Sequence, residues 1–355
     1  MRITFILPYA SLAGGTRVVA IYARKLVEQG HDITVISQPA PHHPRWRLAL
    51  RRLLGRPPLR VFKPSPLLDF LGANHIILDR CRPVTNSDVP EGDAIIATWW
   101  ETAEWVAGLS ASKGVKAYLI QGYEVFGTQP RNRVAATYAL PLHKFAVSSF
   151  VRDALMTRHG CKEVELLPNS VDLEQFNAPV RARGTPFTVG FLYTANPIKD
   201  VGLAISALEQ VRHSLPDIEA MAFGARAPKD DLPLPDWVTY HLDPPQDRIA
   251  ALYSNCDLWL FTSKEEGFGL PLLEAMACRT PVLATRAGAA PDLIDGTNGV
   301  LLDSDADAFA AEIIRMAQLS DLQWKTCSDT AYKTAHSYSW DDAAKRLARR
   351  LSEIS

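Results

Sequence analysis

The sequence has almost no net charge: 38 Lys and Arg stand against 39 Asp and Glu, giving a formal charge of −1. No global field therefore draws it to nucleic acid. It has only five cysteines, Cys81, Cys161, Cys256, Cys278 and Cys327, an odd number without CxxC spacing. That argues against a disulfide framework and against a zinc site, and it fits free thiols in a reducing compartment. Long apolar runs are also lacking. The opening MRITFILPYA is too short to span a bilayer and has no small-residue cleavage site. No other stretch reaches the roughly 18 apolar residues of a spanning helix. The expectation is a soluble, cytoplasmic chain. Neither a solenoid-period repeat nor a low-complexity segment is present.

What the sequence does have is length and apolar content. At 355 residues, 47% hydrophobic and 22% charged, it can bury two full cores. Ile3–Leu7 is a continuous apolar run that suits a buried parallel strand. A loop at Pro8–Gly15 follows, then helical spacing over Thr16–Gln29 stopped by Gly30, then a strand at Ile33–Ile36. This is a βαβ unit. Further runs at Ala94–Thr98, Ala117–Ile120, Phe145–Ser148 and Glu165–Leu167 extend it into an open α/β sheet. Ala178–Pro186 is rich in Pro, Gly and Arg and reads as a linker. The alternation then restarts with strands at Phe187–Leu192, Ile218–Phe223, Val238–His241, Leu258–Thr262 and Val282–Thr285. Helices are expected at Asp200–His213, Gln246–Ser254 and Pro271–Cys278, and an amphipathic one at Ser339–Ile354. The expected domains are 1–180, 185–335 and a terminal helix at 339–355 that crosses back to the first domain. Two Rossmann-like parallel sheets would face a central cleft.

The segment Asp257–Ala284, DLWLFTSKEEGFGLPLLEAMACRTPVLA, is the most informative. A buried strand ends in a loop with Gly267 and Gly269, and Pro271 sits where a helix would start. Amides exposed before a helix N-terminus, with the positive end of its dipole, make an anion site suited to a diphosphate. Glu266 falls in the loop and Glu274 is expected in the first helical turn. Carboxylates beside a phosphate site cannot hold the phosphate; they suit sugar and ribose hydroxyls, which donate hydrogen bonds. The plainer alternative is that Glu266 caps its loop and Glu274 is a solvated helix face.

EEGFGLPLLEAMACRTPVLA resembles the donor-site signature of the group-1, or family-4, retaining glycosyltransferases, which have the GT-B fold. Gly14-Gly15-Thr16, Gly30-His31-Asp32, the run Leu167–Asp172 with Phe176, and Ser339-Trp340 match further family landmarks in order, so the resemblance spans nearly the whole chain. It implies that Glu266 binds donor-sugar hydroxyls and Glu274 the ribose. Gly14, Gly15, Ser263, Gly267, Phe268, Gly269 and Leu270 would surround the diphosphate. The family also supplies an Arg and a Lys. Lys199 fits the lysine, but the arginine position falls near Thr194, leaving Tyr193, Thr194, Asn196 or Arg226 to compensate.

A family histidine on the acceptor side is matched by Gln121, which can hydrogen-bond a hydroxyl but cannot titrate. Glu124, Trp99, Trp100 and Glu101 are further acceptor candidates, with turn or core roles as the alternative. The resemblance implies transfer of a hexose, or a deoxyhexose such as rhamnose, from a nucleotide-diphosphate sugar to a glycan or lipid-linked acceptor in surface-polysaccharide synthesis. Anomeric configuration would be retained, and neither a metal nor a separate cofactor is expected. The competing expectation is a non-catalytic GT-B partner in a glycan assembly complex, favoured by the missing arginine. Finally, Arg45–Arg60, RWRLALRRLLGRPPLR, has six Arg and no acid among Trp and Leu. It suits an anionic membrane surface, which would make the protein peripheral on the inner face of the cell membrane.

Overall fold

A computed structural model describes residues 1–10, 14–40, 45–55, 66–125 and 129–355. The chain divides into two compact units. The first comprises Met1–Ala146, Leu155–Leu167 and Ala344–Ser355; the second comprises Val147–Ala154 and Pro168–Ala343.

In the first unit the elements are β1 (Arg2–Tyr9), α1 (Gly14–Glu28), β2 (Asp32–Gln38), α2 (Arg45–Leu53), β3 (His75–Ile77), β4 (Ala94–Ala97), α3 (Trp100–Ala107), β5 (Val115–Ile120), α4 (Arg131–Thr137), β6 (His143–Ala146), α5 (Ser149–His159, shared with the second unit) and β7 (Glu165–Leu166). The sheet order is β3-β2-β1-β4-β5-β6-β7, parallel at each pairing. Ile3, Phe5, Ile6 and Leu7 of β1 are buried, as expected of a central strand flanked by helices. Val18, Val19, Tyr22 and Leu26 bury one face of α1, and Gly30, at φ +84°, turns the chain out of it.

The second unit contains β8 (Thr188–Leu192), α6 (Val201–Ser214), β9 (Glu219–Gly224), β10 (Val238–Leu242), α7 (Gln246–Ser254), β11 (Leu258–Phe261), α8 (Leu270–Ala277), β12 (Val282–Thr285), α9 (Ala290–Leu293), β13 (Gly299–Leu302), α10 (Ala306–Ala317), α11 (Asp321–His336) and α12 (Trp340–Glu353), whose last part counts with the first unit. Its order is β10-β9-β8-β11-β12-β13, again parallel. Val189, Phe191, Leu258 and Leu260 pack with Leu208 and Val211 of α6 and with Phe309 and Ile313 of α10. Both units are thus Rossmann-like, with the chain reversing direction across the sheet between β1 and β4 and between β8 and β11.

One expectation changes. The segment 178–186 is not a loose linker between units, because the units divide at Leu167/Pro168. Asp257 holds this segment: its buried carboxylate accepts from Arg181 Nη1, Gly184 N and Thr188 N at 2.8, 2.8 and 2.9 Å. Arg181 also lies 4.6 Å over the Trp324 ring. At the C-terminus, Arg350 Nε of α12 donates to Glu165 Oε2 of β7 at 2.8 Å. The expected loop Pro8–Gly15 falls partly outside the described residues, as do Arg56 and Arg60 of the basic segment.

Candidate functional site

Ligands of doubly wound sheets bind beyond the carboxyl ends of strands where the winding reverses. In the second unit that place is the pair of loops after β8 and β11. The first loop tightens through Asn196, whose Oδ1 accepts from Ile198 N at 3.2 Å, and a single turn at Pro197–Lys199 follows. Three contacts bind the two loops. Thr262 Oγ1 donates to Lys199 O at 3.0 Å, Lys264 N donates to Ile198 O at 2.7 Å, and Lys264 Nζ lies 3.0 Å from Asp200 Oδ2. The lock carries Lys199 Nζ onto Glu266 Oε1, the same oxygen that accepts from Ser263 Oγ at 2.9 Å. The Lys199 side chain keeps 27% of its surface exposed and Glu266 12%. Lys199, Thr262, Ser263, Glu266 and Pro271 line one open pocket.

The glycine turn feeds α8 as its chemistry requires. Gly269 caps the helix at φ +90°, and a Cβ there would lie 2.7 Å from Phe261 Cζ. Leu270 and Pro271 occupy the first two helical positions; the proline has no N–H to leave unpaired, and Leu272 N donates to Gly269 O at 2.9 Å. One expectation fails: Glu274 lies in the second turn of α8, not the first. Its carboxylate is buried and its Oε2 accepts from Tyr253 Oη at 2.9 Å. The structure therefore brings Lys199 and Ser263 together on Glu266 Oε1, while Glu274 has a different described partner.

Residues 185–318 match the family model described as glycosyl transferases group 1. The second unit carries a group 1 glycosyltransferase domain. D-inositol 3-phosphate glycosyltransferase of Arthrobacter sp. (strain FB24) is 26% identical over 86% of this chain and 82% of that protein. O-antigen chain mannosyltransferase B of Escherichia coli is 32% identical over 30% of this chain and 28% of its own length. Among solved structures, HepE of Anabaena in complex with UDP and glucose covers 99% of this chain and 100% of its own, with TM-score 0.72 at 19% identity. The fold is that of the GT-B glycosyltransferases.

Within the glycosyltransferase domain, the residues expected to replace the missing arginine divide. Tyr193 is withdrawn into the core: its hydroxyl donates to Leu232 O at 2.6 Å and accepts from Lys229 N at 2.9 Å, so it has no capacity to spare for a donor. The Asn196 side-chain oxygen is used in its own turn. Thr194 is half-buried, and Arg226 is exposed just past β9, the neighbour of β8.

The turn 287–289 is a site element that sequence reading does not reveal. Ala289 N donates to Phe268 O at 2.8 Å, and a Cβ on Gly288, at φ +58°, would lie 2.6 Å from Phe268 O and 2.7 Å from Glu266 Cβ. The only sequence signal is Ala287-Gly288-Ala289, small residues after a buried strand. Gly288→Ala is expected to cost about 2 kcal/mol of stability and to raise the donor KM by displacing Glu266. Chemical denaturation and donor titration of the variant measure both.

In the first unit, Gln121 Nε2 donates to Gly15 O at 3.2 Å, tying the end of β5 to the start of α1, where Gly14 and Gly15 lie. Trp99 caps α3 and is half-buried, as is Glu101, whose carboxyl is pushed up by burial against the opposing pull of Arg133. Trp100 and Glu124 do not fit the acceptor role expected of them. Trp100 is a core residue: its Nε1 reaches Gln129 Oε1 at 3.2 Å and Arg133 lies 4.9 Å over its ring. Glu124 is 2% exposed. Its Oε2 accepts from Trp100 N at 2.8 Å and Tyr118 Oη at 2.7 Å, while its Oε1 is buried with no hydrogen-bond partner among the described residues. Burial dominates and pushes the carboxyl up to about 8, opposed by the bonds from Tyr118 and Trp100.

Proposed function

We propose that this protein transfers a hexose or deoxyhexose from a nucleotide-diphosphate sugar to a glycan or lipid-linked acceptor in surface-polysaccharide synthesis, with retention and without a metal ion. The observation that carries this reading is the convergence of Lys199, Ser263 and Glu266 beside the glycine-capped start of α8. Relatives lend support: the HepE complex holds UDP and glucose, and one relative is an O-antigen mannosyltransferase.

The chemistry follows from charge. As the anomeric C–O bond breaks, negative charge builds on the departing diphosphate. Lys199 and the amides of Gly267–Leu270 stabilise it. Glu266, fixed by Ser263, accepts hydrogen bonds from donor-sugar hydroxyls, and Glu274 from the ribose. Thr194 and Arg226 are the remaining candidates near the missing arginine. The acceptor oxygen forms the new bond on the face the leaving group vacates, and its proton passes to a diphosphate oxygen. No protein base is then needed, which suits Gln121. Gln121, Trp99 and Glu101 of the first unit are assigned to the acceptor. Release of nucleoside diphosphate from a panel of UDP-, GDP- and TDP-sugars, with and without lipid-linked acceptors, tests the reading; no turnover of any donor refutes it.

The same reading places the protein on the inner face of an anionic membrane through α2. Among its described side chains Trp46, Leu50 and Leu53 recur at helical spacing and are 62%, 47% and 84% exposed, with Arg51 and Arg52 beside them. Among the described residues no helix is long and apolar enough to cross a membrane. Replacing both Leu50 and Leu53 by Asp is expected to weaken binding to phosphatidylglycerol vesicles by tenfold or more, at about 1.5–3 kcal/mol for each leucine fully buried. Co-sedimentation that is equal on neutral and anionic vesicles would exclude this attachment.

A further inference from the structure

Tyr253 lies in the last turn of α7, wholly inside the second unit. Three rings fix its side chain: Trp259 at 4.5 Å, Phe223 at 5.7 Å and Phe176 at 6.0 Å between centroids, all near edge-on. Its carbonyl is fixed as well, accepting from Thr280 Oγ1 at 2.7 Å. The hydroxyl therefore has one place to be, and there it donates to Glu274 Oε2 at 2.9 Å.

A carboxylate is a costly partner for a buried tyrosine. A backbone carbonyl or a neutral amide would satisfy the hydroxyl with far less desolvation. A carboxylate in that position is explained by a ligand that needs its acceptors. A carboxyl group carries two oxygens, and the hydrogen bond from Tyr253 engages Oε2. Glutamate has three side-chain torsions, and one rigid donor selects among their rotamers.

We infer that Tyr253 is a positioning residue that aims Glu274 at the ribose hydroxyls of the donor nucleotide. This rests on the reading of the α8 turn as a nucleotide-sugar site and adds the element that orients its second carboxylate. Tyr253 itself touches no substrate. It acts through Glu274, across the contact between α7 and α8.

Calorimetric titration with UDP, GDP and TDP, each beside its 2′,3′-dideoxy form, tests the inference. The wild-type protein is expected to prefer the hydroxyl-bearing form of its nucleotide by about tenfold, as for hydrogen bonds to a charged group. Tyr253→Phe keeps the ring packing. It is expected to reduce that preference to about twofold, leaving the dideoxy affinity and kcat at saturating donor unchanged. In a Glu274→Ala background the same change is expected to do nothing further. If Tyr253→Phe retains the full preference, or weakens both nucleotide forms equally, the positioning role is overturned while the site reading stands. If the wild-type protein does not discriminate, or binds none of the three nucleotides, the assignment of Glu274 fails and the inference fails with it.

Discussion

Lys199→Ala is expected to lower nucleoside-diphosphate release by about 10²–10³-fold, the range for loss of one preorganised group at a developing anion. Coulomb's law gives a similar figure. A full charge about 4 Å from a departing phosphoryl oxygen, at an effective dielectric near 20, is worth about 4 kcal/mol, or three decades in rate. The effect should be large because the expected second cation is absent from the β8 loop: Thr194 stands where an arginine would, and Tyr193 is committed to Leu232 and Lys229. Folding should change little, since Glu266 keeps its bond from Ser263 and stays partly exposed. Lys199→Arg, which keeps the charge but not the compact head, is expected to recover part of the rate. Turnover measured chromatographically at saturating donor decides the matter. A Lys199→Ala enzyme within threefold of wild type would remove Lys199 from the chemistry and return the diphosphate to the helix amides alone.

Glu124→Gln is expected to make stability less dependent on pH, and to stabilise the protein in mild alkali. The folded carboxyl titrates at about 8 because it is buried, whereas the unfolded one has the ordinary value near 4.5. Between these values the unfolded chain gives up a proton that the folded one retains. Rising pH therefore favours unfolding through that window, and the loss levels off above about 8. At 1.36 kcal/mol per unit, the difference amounts to about 5 kcal/mol as an upper estimate. Glutamine matches the neutral acid in shape: its oxygen can accept from Trp100 N and Tyr118 Oη, while its NH₂ takes the place of the unpartnered Oε1 at a cost of about 1–3 kcal/mol. Wild type should thus equal or exceed the variant near pH 4 and fall below it at pH 8.5. Urea denaturation at both pH values measures the crossover; parallel curves would show that Glu124 does not carry the proton.

The contrast between these two residues shows what the sequence discloses. Lys199, Ser263 and Glu266 were legible because they stand in short loops punctuated by Gly267, Gly269 and Pro271, after strands whose apolar runs announce themselves. Local signals place such loops at the sheet's carboxyl edge, and topology does the rest. Glu124 also follows a strand, yet it is buried by Tyr118, Tyr138 and the first amide of α3, partners up to 24 residues away that no local pattern names. Trp100 and Tyr193 are ambiguous for the same reason, since an aromatic beside a strand end reads alike whether it faces a ligand or the core. The position of Glu274 hinged on where α8 begins, and Gly269 sets that start one residue before Pro271. Tyr253 and Gly288 were hidden altogether, because each matters only through a neighbour brought close by folding.

The Asp257 clasp has a practical corollary for anyone recombining this protein with a relative. A chimaera spliced just after Gly184, where composition invites the cut, would part a buried carboxylate from the native Arg181 and Gly184 that satisfy it. Joining the parental halves at Leu167/Pro168 keeps donor and acceptor on the same parent. The natural seam for exchange lies upstream of the stretch that looks most like a hinge.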